Sequence, residues 1–597
     1  MYQGSDVEVA PGAASRAMVV ELGSAIRVGV FVLAGSEYRL LTVGDAASTL
    51  DAPDFDLTLG YETALARAQS LAGAFAFPAL PMGSTLASAQ SVAAVVGRAL
   101  ESGPSCFLIG NLVGSDLEVL EAALDQHGFR PVGRAVTAAR VFRDRIDGPA
   151  TLDVVSAQRP DVILVALGDD HDGHGLAYMA DLLVGGVPGT ESGYAPVIAV
   201  VGKGGVDERA VTALKQVFLV HVATIPGGTS EVEVGIRDSS LMLDRVVKSV
   251  DDRRFRGRLV PEPIARAPTQ STASAIEIAA QGLAAQQGLN VVVVSLDDDQ
   301  VMIAGCQANE LASVGVGQRS DFSRAHHVAL HTPVDRVAQW IADAPLPQAM
   351  RLTALNRSAH PSALAFSPAE LQLWHAIWIA AARQAIRDSE DGRSPINQEG
   401  VDLAVLTGRA AQTVGRPVQA ALLLANILET VGITQFALDP ASSLAMHGAL
   451  AGVGGGQVGL ETSLVPLGVC IAPKGRARPG EPAVLVEVRP DSGSRIEREV
   501  AAGSLDVIQW DSRVPAEIRI WPHPRFDVGL GNGRPAQLKV SVEAGLIGVV
   551  VDARGRPLSW PDEQHARQAR LQEWFRSVDA FPASTTGTVQ KGSRNGA

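Results

Sequence analysis

Three consecutive aspartates at positions 297–299 are the residues of this chain whose type and spacing point most directly to chemistry. They separate the apolar runs 291–296 and 300–305, a pattern that predicts two strands joined by a tight turn. Clustered carboxylates bind divalent cations through their oxygens. They also repel phosphates, because two like charges about 4 Å apart cost about 4 kcal/mol at an effective dielectric of about 20. Aspartate is also favoured in ordinary turns. An acidic turn, a metal site and a phosphate-binding turn therefore all remain open.

A second hairpin of the same outline lies near the start of the chain. An apolar run ends at Glu21, Gly23 and Ser24 form a turn, and a new apolar run follows at 25–32. Two such hairpins, one in each half of a long chain, are typical of actin-like ATPases, whose turn N–H groups hold nucleotide phosphates. The candidate nucleotide-binding residues of the two turns are Glu21, Gly23, Ser24, Ser295 and Asp297.

Gly408 is a further candidate nucleotide-binding residue. It ends the apolar run 403–407 and precedes a stretch with helical periodicity. A strand that leads into small residues and then into a helix is how such folds seat adenosine. Only one glycine is present, and Arg409 follows it. A plain strand-to-helix turn is the alternative.

Other polar groups carry weaker signals. The stretch 169–174 (Asp-Asp-His-Asp-Gly-His) follows a predicted strand, where it suits either a metal or acid–base site or a polar surface loop. His326, His327 and His331 match no ligand spacing. Arg554 and Arg556 follow the apolar run 546–551, where they are predicted to bind a neighbouring domain or to form an internal latch with Asp552. We assign no catalytic residue and no metal ligand.

Composition restricts the class of protein. The chain has 597 residues, is 46% hydrophobic, and carries a formal net charge of −14. An acidic chain without a long basic run is not expected to bind nucleic acid or an anionic membrane, and the short basic stretch 253–258 is expected to be a solvated linker. No uncharged apolar run reaches the about 20 residues that span a bilayer, and the N-terminus lacks the pattern of a secretory signal. The three widely spaced cysteines favour buried thiols, so we expect a cytoplasmic protein.

The predicted elements form an α/β chain of several domains. A β-meander over 17–43 is followed by alternating helices and all-apolar strands, among them a helix over 88–101 and strands over 161–168 and 196–202. We predict two actin-like (ribonuclease H-like) halves with mixed sheets flanked by helices, an α/β insertion, and a C-terminal β-rich domain. The predicted boundaries are 1–260 for the first half with its insertion, 273–455 for the second half, 461–580 for the β-rich domain and 584–597 for a disordered tail.

The order of these motifs resembles the MutL (GlmL) family, whose members are encoded beside adenosylcobalamin-dependent glutamate mutase. The stretches that carry the resemblance are 21–24 (Glu-Leu-Gly-Ser), 159–164 (Arg-Pro-Asp-Val-Ile-Leu), 406–408, 432–439 (Gly-Ile-Thr-Gln-Phe-Ala-Leu-Asp), 471–475 (Ile-Ala-Pro-Lys-Gly), 526–529 and 551–557 (Val-Asp-Ala-Arg-Gly-Arg-Pro). The resemblance covers about residues 17–580 and implies the actin/sugar-kinase/heat-shock ATPase superfamily, ATP and magnesium as cofactors, and a mutase that the protein maintains or reactivates.

The departures from this family fall on the expected ligand cleft. The second turn has Ser295 and the three aspartates where the family has an aspartate–glycine turn, and Arg409 and Ala410 stand where it has a paired glycine. A chain that keeps the frame and changes the cleft fits a scaffold or chaperone-like partner with lost or weakened nucleotide binding. The alternative is an active ATPase that maintains or reactivates a cobalamin-dependent mutase. In either case the expected partner is such a mutase or another protein complex.

Overall fold

The structure is a computed structural model of the chain. It describes residues 16–581 with gaps, of which the longest are 75–91, 98–103, 137–150, 188–194, 226–241, 251–260, 309–321, 328–333, 354–363 and 388–399. The predicted tail 584–597 lies outside the described residues.

The first sheet begins as a meander of three antiparallel strands. Beyond the first strand, two further strands run parallel to it, and a short strand pairs with the opposite edge, giving the order β10-β4-β1-β2-β3-β16. Helix α1 packs on β2 and β3. These elements are β1 (Arg16–Leu22), β2 (Ala25–Ala34), β3 (Glu37–Ala47), α1 (Leu57–Ala74), β4 (Ala94–Gly97), α4 (Glu262–Arg266), β10 (Thr269–Gln270) and β16 (Gln457–Val458).

The second sheet repeats this order and then extends it. Strands β13, β12 and β11 form an antiparallel meander, β14 lies parallel to β11, and β15 lies parallel to β14. Three later strands extend the sheet in the order β17-β25-β21. The strands are β11 (Val291–Leu296), β12 (Gln300–Cys306), β13 (Phe322–His327), β14 (Leu403–Thr407), β15 (Gly432–Leu438), β17 (Val465–Ala472), β21 (Leu505–Ile508) and β25 (Gly548–Asp552).

The repeated order establishes the fold class. In each sheet the third, second and first strands are followed by two strands parallel to the first, which is the ribonuclease H-like arrangement that occurs twice in actin-like proteins. The predicted fold class is therefore confirmed. The predicted helix over 88–101 is wrong, because β4 lies inside it. Its four residues are buried between β1 and β10, so sheet pairing overrides the helix propensity of an alanine-rich segment.

An α/β insertion lies between β4 and β10. Its five strands are all parallel, in the order β6-β5-β7-β8-β9. Strands β5 and β7 are buried at every position, which explains why Ser105 is the one polar residue in the two strands. The elements are β5 (Ser105–Gly110), β6 (Arg130–Val136), β7 (Val162–Leu167), α2 (His174–Gly186), β8 (Val197–Lys203), α3 (Glu208–Val217) and β9 (Leu219–Ile225).

Helices α5 (Thr272–Gln287) and α10 (Leu444–Gly452) lie between the two sheets. Their residues share one hydrophobic core with apolar side chains from both sheets. The helices meet at Gly448, where a Cβ atom would lie 1.8 Å from the carbonyl oxygen of Ala275. Only glycine permits this approach, so the sequence fixes where the two halves meet.

The remaining helices cover the other face of the second sheet, and the chain ends in a β-rich region. A four-stranded sheet in the order β20-β19-β22-β24 shares a core with β17 and β25. The elements are α6 (Val334–Ala338), α7 (Pro368–Arg387), α8 (Arg409–Thr413), α9 (Pro417–Leu428), a 3-10 turn (Glu461–Ser463), β18 (Lys474–Gly475), β19 (Pro482–Pro490), β20 (Ile496–Ala501), β22 (Ala516–Pro522), β23 (Phe526–Asp527), β24 (Ala536–Val540) and α11 (Gln564–Ser577). The domain boundaries themselves stay predictions. Within the described part of the chain, no helix is long and apolar enough to cross a membrane.

Candidate functional site

The first turn joins β1 to β2 and is closed by its own backbone. The Gly23 N–H donates to the carbonyl of Ala25 at 3.0 Å, so this turn amide has a partner within the turn. Glu21 lies opposite Arg27 in the β1–β2 pair, and the Arg27 Nη1 is 2.6 Å from the Glu21 Oε2. Both side chains are largely buried, with 19% of Glu21 and 12% of Arg27 exposed. Ser24 lies outside the described residues.

Arg27 also reaches into the second half of the molecule. Its Nη1 donates to the carbonyl of Ser442 at 2.8 Å, and its Nη2 donates to the carbonyl of Ala441. Both carbonyls belong to the connection between β15 and α10. One guanidinium therefore binds a carboxylate of its own half and two carbonyls of the other half.

The second turn is held by side chains around Asp297. The Ser295 hydroxyl donates to the Asp297 Oδ2 at 3.1 Å, and the Arg409 amide donates to the Oδ1 at 2.8 Å. The Trp378 Nε1 donates to the Asp297 carbonyl at 2.8 Å. Asp297 thus accepts from the first amide of α8, as a capping carboxylate does. The other two aspartates, 298 and 299, lie outside the described residues.

Gly408 packs directly against this turn. A Cβ atom at Gly408 would lie 2.8 Å from the carbonyl oxygen of Leu296, 2.9 Å from its nitrogen and 3.0 Å from the Asp297 Oδ2. Its φ of +83° also lies in the region that favours glycine. The structure therefore brings Ser295, Asp297 and Gly408 together in the second half, while Glu21 and Gly23 form the turn of the first half.

A buried aspartate that the sequence analysis did not assign connects these elements. The Asp439 Oδ2 accepts from the Thr407 hydroxyl and from the Leu444 amide, each at 2.8 Å, and its Oδ1 accepts from the Ser443 hydroxyl at 3.1 Å. Asp439 is fully buried, so it fixes the end of β14 to the start of α10, beside the carbonyls that bind Arg27. The signal was a single acid directly after the uncharged stretch 432–438.

Arg27 was also missed by the sequence analysis. It is the one charged residue in the stretch Ala25–Ala34, which folds as β2. A cation within a strand that is otherwise apolar needs a partner, because a buried charge without one is strongly disfavoured. That reasoning predicts a carboxylate partner. It does not predict the two carbonyls, which lie 414 and 415 residues away along the chain.

Arg554 and Arg556 form an internal ion-pair cluster with Asp552, which is one of the two arrangements expected from the sequence. The Arg554 Nε and Nη2 donate to the two oxygens of Asp552 at 2.8 and 2.7 Å, and the Arg556 Nη2 donates to the same carboxylate at 2.7 Å. Burial alone would raise the pKa of Asp552, but the two guanidinium groups outweigh it and hold this pKa well below its usual range. The Arg556 Nε also donates to the carbonyl of Thr430, 2.9 Å away, which connects this ion-pair cluster to the end of α9.

Two other chemistries find little support. Cys106, Cys306 and Cys470 are buried free thiols, as predicted, and burial raises the pKa of Cys106 and Cys470 to about 12, which suppresses the reactive thiolate. Among the residues that the structure describes, no three His, Cys, Asp or Glu side chains are grouped to hold a metal ion. The stretch 169–173 lies outside them, so its predicted role is untested.

No protein-family model matches the chain. No curated protein matches it either. Among solved structures, a nucleotide-free acetone carboxylase is 12% identical over 81% of each chain, with a TM-score of 0.32. A glycerol dehydratase reactivase is 11% identical over 73% of this chain and 99% of its own, with a TM-score of 0.28, and a PilM–PilN type IV pilus biogenesis complex is 10% identical over 74% and 96%, with a TM-score of 0.24. At TM-scores this low, none of the three supports an inference about what this chain does.

Proposed function

We propose that this protein is a nucleotide-independent scaffold or chaperone-like partner of another protein, with an actin-like frame and lost or weakened nucleotide binding. The observation that carries the proposal is that the chain itself engages the acid of each turn. Arg27 pairs with Glu21, and Ser295 together with the Arg409 amide binds Asp297. Magnesium needs carboxylate oxygens and a triphosphate needs turn amides. Among the described residues, Glu21 and Asp297 therefore already have partners within the chain, and this arrangement supports the loss or weakening of Mg-ATP binding.

The decisive experiment is a thermal scan of the purified wild-type protein with Mg-ATP. Ligand at about 100 times its dissociation constant adds about 2.7 kcal/mol to the stability of the state that binds it. We expect no change in melting temperature with millimolar Mg-ATP relative to magnesium alone. A shift that saturates with micromolar ATP and disappears with EDTA would refute the proposal. Calorimetric titration provides the independent check.

The resemblance described above favours an adenosylcobalamin-dependent mutase as the protein partner. If the protein is a nucleotide-independent scaffold, it should co-elute with such a mutase in size-exclusion chromatography equally well with and without Mg-ATP. Co-elution that appears only with Mg-ATP contradicts nucleotide independence. Separate elution under both conditions contradicts the mutase as the partner.

One observation favours the alternative of a working ATPase. Gly408 keeps the close backbone approach between the end of β14 and the second turn, which is the place where such folds seat adenosine. This alternative requires ATP hydrolysis that falls when Gly23 or Asp297 is replaced. Hydrolysis that is unchanged in G23V and D297N would place any activity elsewhere in the chain or in a contaminant.

A further inference from the structure

The contact between Arg27 and the second half lies next to the first turn and connects the two halves directly. The Arg27 guanidinium is held by Glu21 on the first sheet and by the carbonyls of Ala441 and Ser442 beside the second sheet. Guanidinium donors lie in a rigid fork, so a single arginine can bind several oxygens in fixed directions. Because the group is largely buried, solvent screens these contacts little.

The position of this contact suits a restraint on rotation. Helices α5 and α10 cross at Gly448, and α10 begins at Leu444. Four residues of helix span about 6 Å. The carbonyls that bind Arg27 immediately precede that first turn, so they lie off the crossing point. Because the Arg27 contact lies away from the crossing at Gly448, it resists rotation of the two halves about that crossing.

We infer that Arg27 is an internal latch that takes the place of a nucleotide and fixes the angle between the two halves. The inference rests on the proposed function, because a nucleotide-independent scaffold needs another means of holding its halves in one orientation. The trigger that could release the latch is an oxyanion able to compete with the two carbonyls for the guanidinium. No phosphate is needed to keep it closed.

A distance measurement between spin labels tests the latch. E62C on α1 and A369C on α7 place labels at exposed positions of the first and second halves, and the three native cysteines are buried and resist labelling. In the E62C/A369C protein with Arg27 intact, the distance between the two labels should have one narrow distribution. R27A should broaden or shift it.

The control is R67A, which removes an arginine whose carbonyl contact stays within the first half. Arg67 donates to the carbonyl of Asp45 at 2.7 Å, and both residues belong to the first half. Its removal should leave the distribution narrow. If R27A does not fold, judged by circular dichroism, R27K replaces it, since a single ammonium keeps the charge beside Glu21 but cannot bind all three oxygens in a fork. A narrow, unshifted distribution in the folded Arg27 variant would overturn the latch.

The latch and the proposed function fail separately. A thermal shift of the wild-type protein with Mg-ATP refutes nucleotide independence, whatever the spin labels show. An Arg27 variant that behaves like R67A refutes the latch, whatever Mg-ATP does. Broadening in the Arg27 variant together with no response of the wild type to Mg-ATP supports both.

Discussion

Replacing Asp297 by alanine distinguishes an acid that holds the fold from one that binds the metal of a metal–nucleotide complex. The carboxylate accepts from the Arg409 amide at 2.8 Å and from the hydroxyl of the buried Ser295 at 3.1 Å. Loss of a capping carboxylate costs about 1 kcal/mol. Loss of the partner of a buried hydroxyl costs about 1 kcal/mol more. We therefore expect D297A to destabilise the turn and α8 by about 2 kcal/mol.

Hydrogen exchange measures this loss at the place where it occurs. A free-energy change of about 2 kcal/mol corresponds to about 30-fold faster exchange when local opening limits the rate. The peptide that contains the Arg409 amide should show this acceleration in D297A.

The control variant is D207A in the insertion. The Asp207 carboxylate accepts from the Arg209 amide at 2.9 Å, so the same chemical change is made at a helix outside the cleft. Exchange should accelerate only at α3. The reasoning is refuted if D297A leaves exchange at Arg409 unchanged and instead abolishes a Mg-ATP-induced thermal shift of the wild type.

Three further substitutions follow from the geometry. G408A should lower the thermal midpoint and cost about 1–3 kcal/mol, because any Cβ there meets backbone at a positive φ; an unchanged midpoint would contradict the close approach. G448A should force α5 and α10 apart and lower the midpoint, whereas G185A, with nothing within 4 Å of its new methyl group, should not; equal midpoints would refute the crossing contact. D552N should cost about 3–5 kcal/mol at pH 7 in denaturant titrations. The folded-state pKa of Asp552 lies below its unfolded value of about 3.9, so the difference in the free energy of unfolding between wild type and D552N should shrink only as the pH falls below that value. A difference that does not depend on pH would contradict the depressed pKa.

Much of the fold could be predicted because its signals are local. The two hairpins and the apolar parallel strands stand out as uninterrupted runs between turn residues, and the same hairpin in each half predicts the same sheet twice. The error at β4 has a physical cause. Ala94–Gly97 is only four residues long and lies within the stretch 88–101, whose scattered alanines favour a helix, whereas its two valines and its position between two other strands favour a strand.

The candidate site could be located but not understood from the sequence. The turn residues Glu21 and Asp297 were found because acids at the ends of apolar runs are visible in a local window. Their partners are not local. Asp297 binds an amide 112 residues away, and Arg27 binds carbonyls more than 400 residues away. Whether an acid at such a turn serves a ligand or the fold depends on those partners, which only the tertiary structure supplies.

The energetic consequence of Arg27 explains how nucleotide binding could be weakened without the loss of either turn. If Arg27 is the latch proposed above, a nucleotide that competes for this guanidinium must displace it from Ala441 and Ser442, and a hydrogen bond to a charged group contributes about 1.5–3 kcal/mol. Losing both costs about 3–6 kcal/mol, which lowers affinity by about 10²–10⁴-fold. This penalty applies whatever the aspartates of the second turn do. Asp297 accepts from the Arg409 amide, and the repulsion expected from three clustered carboxylates stays a prediction from the sequence. Among the described residues, the contact that the proposed latch sets against ATP is therefore the one between Arg27 of β2 and the two carbonyls of the second half.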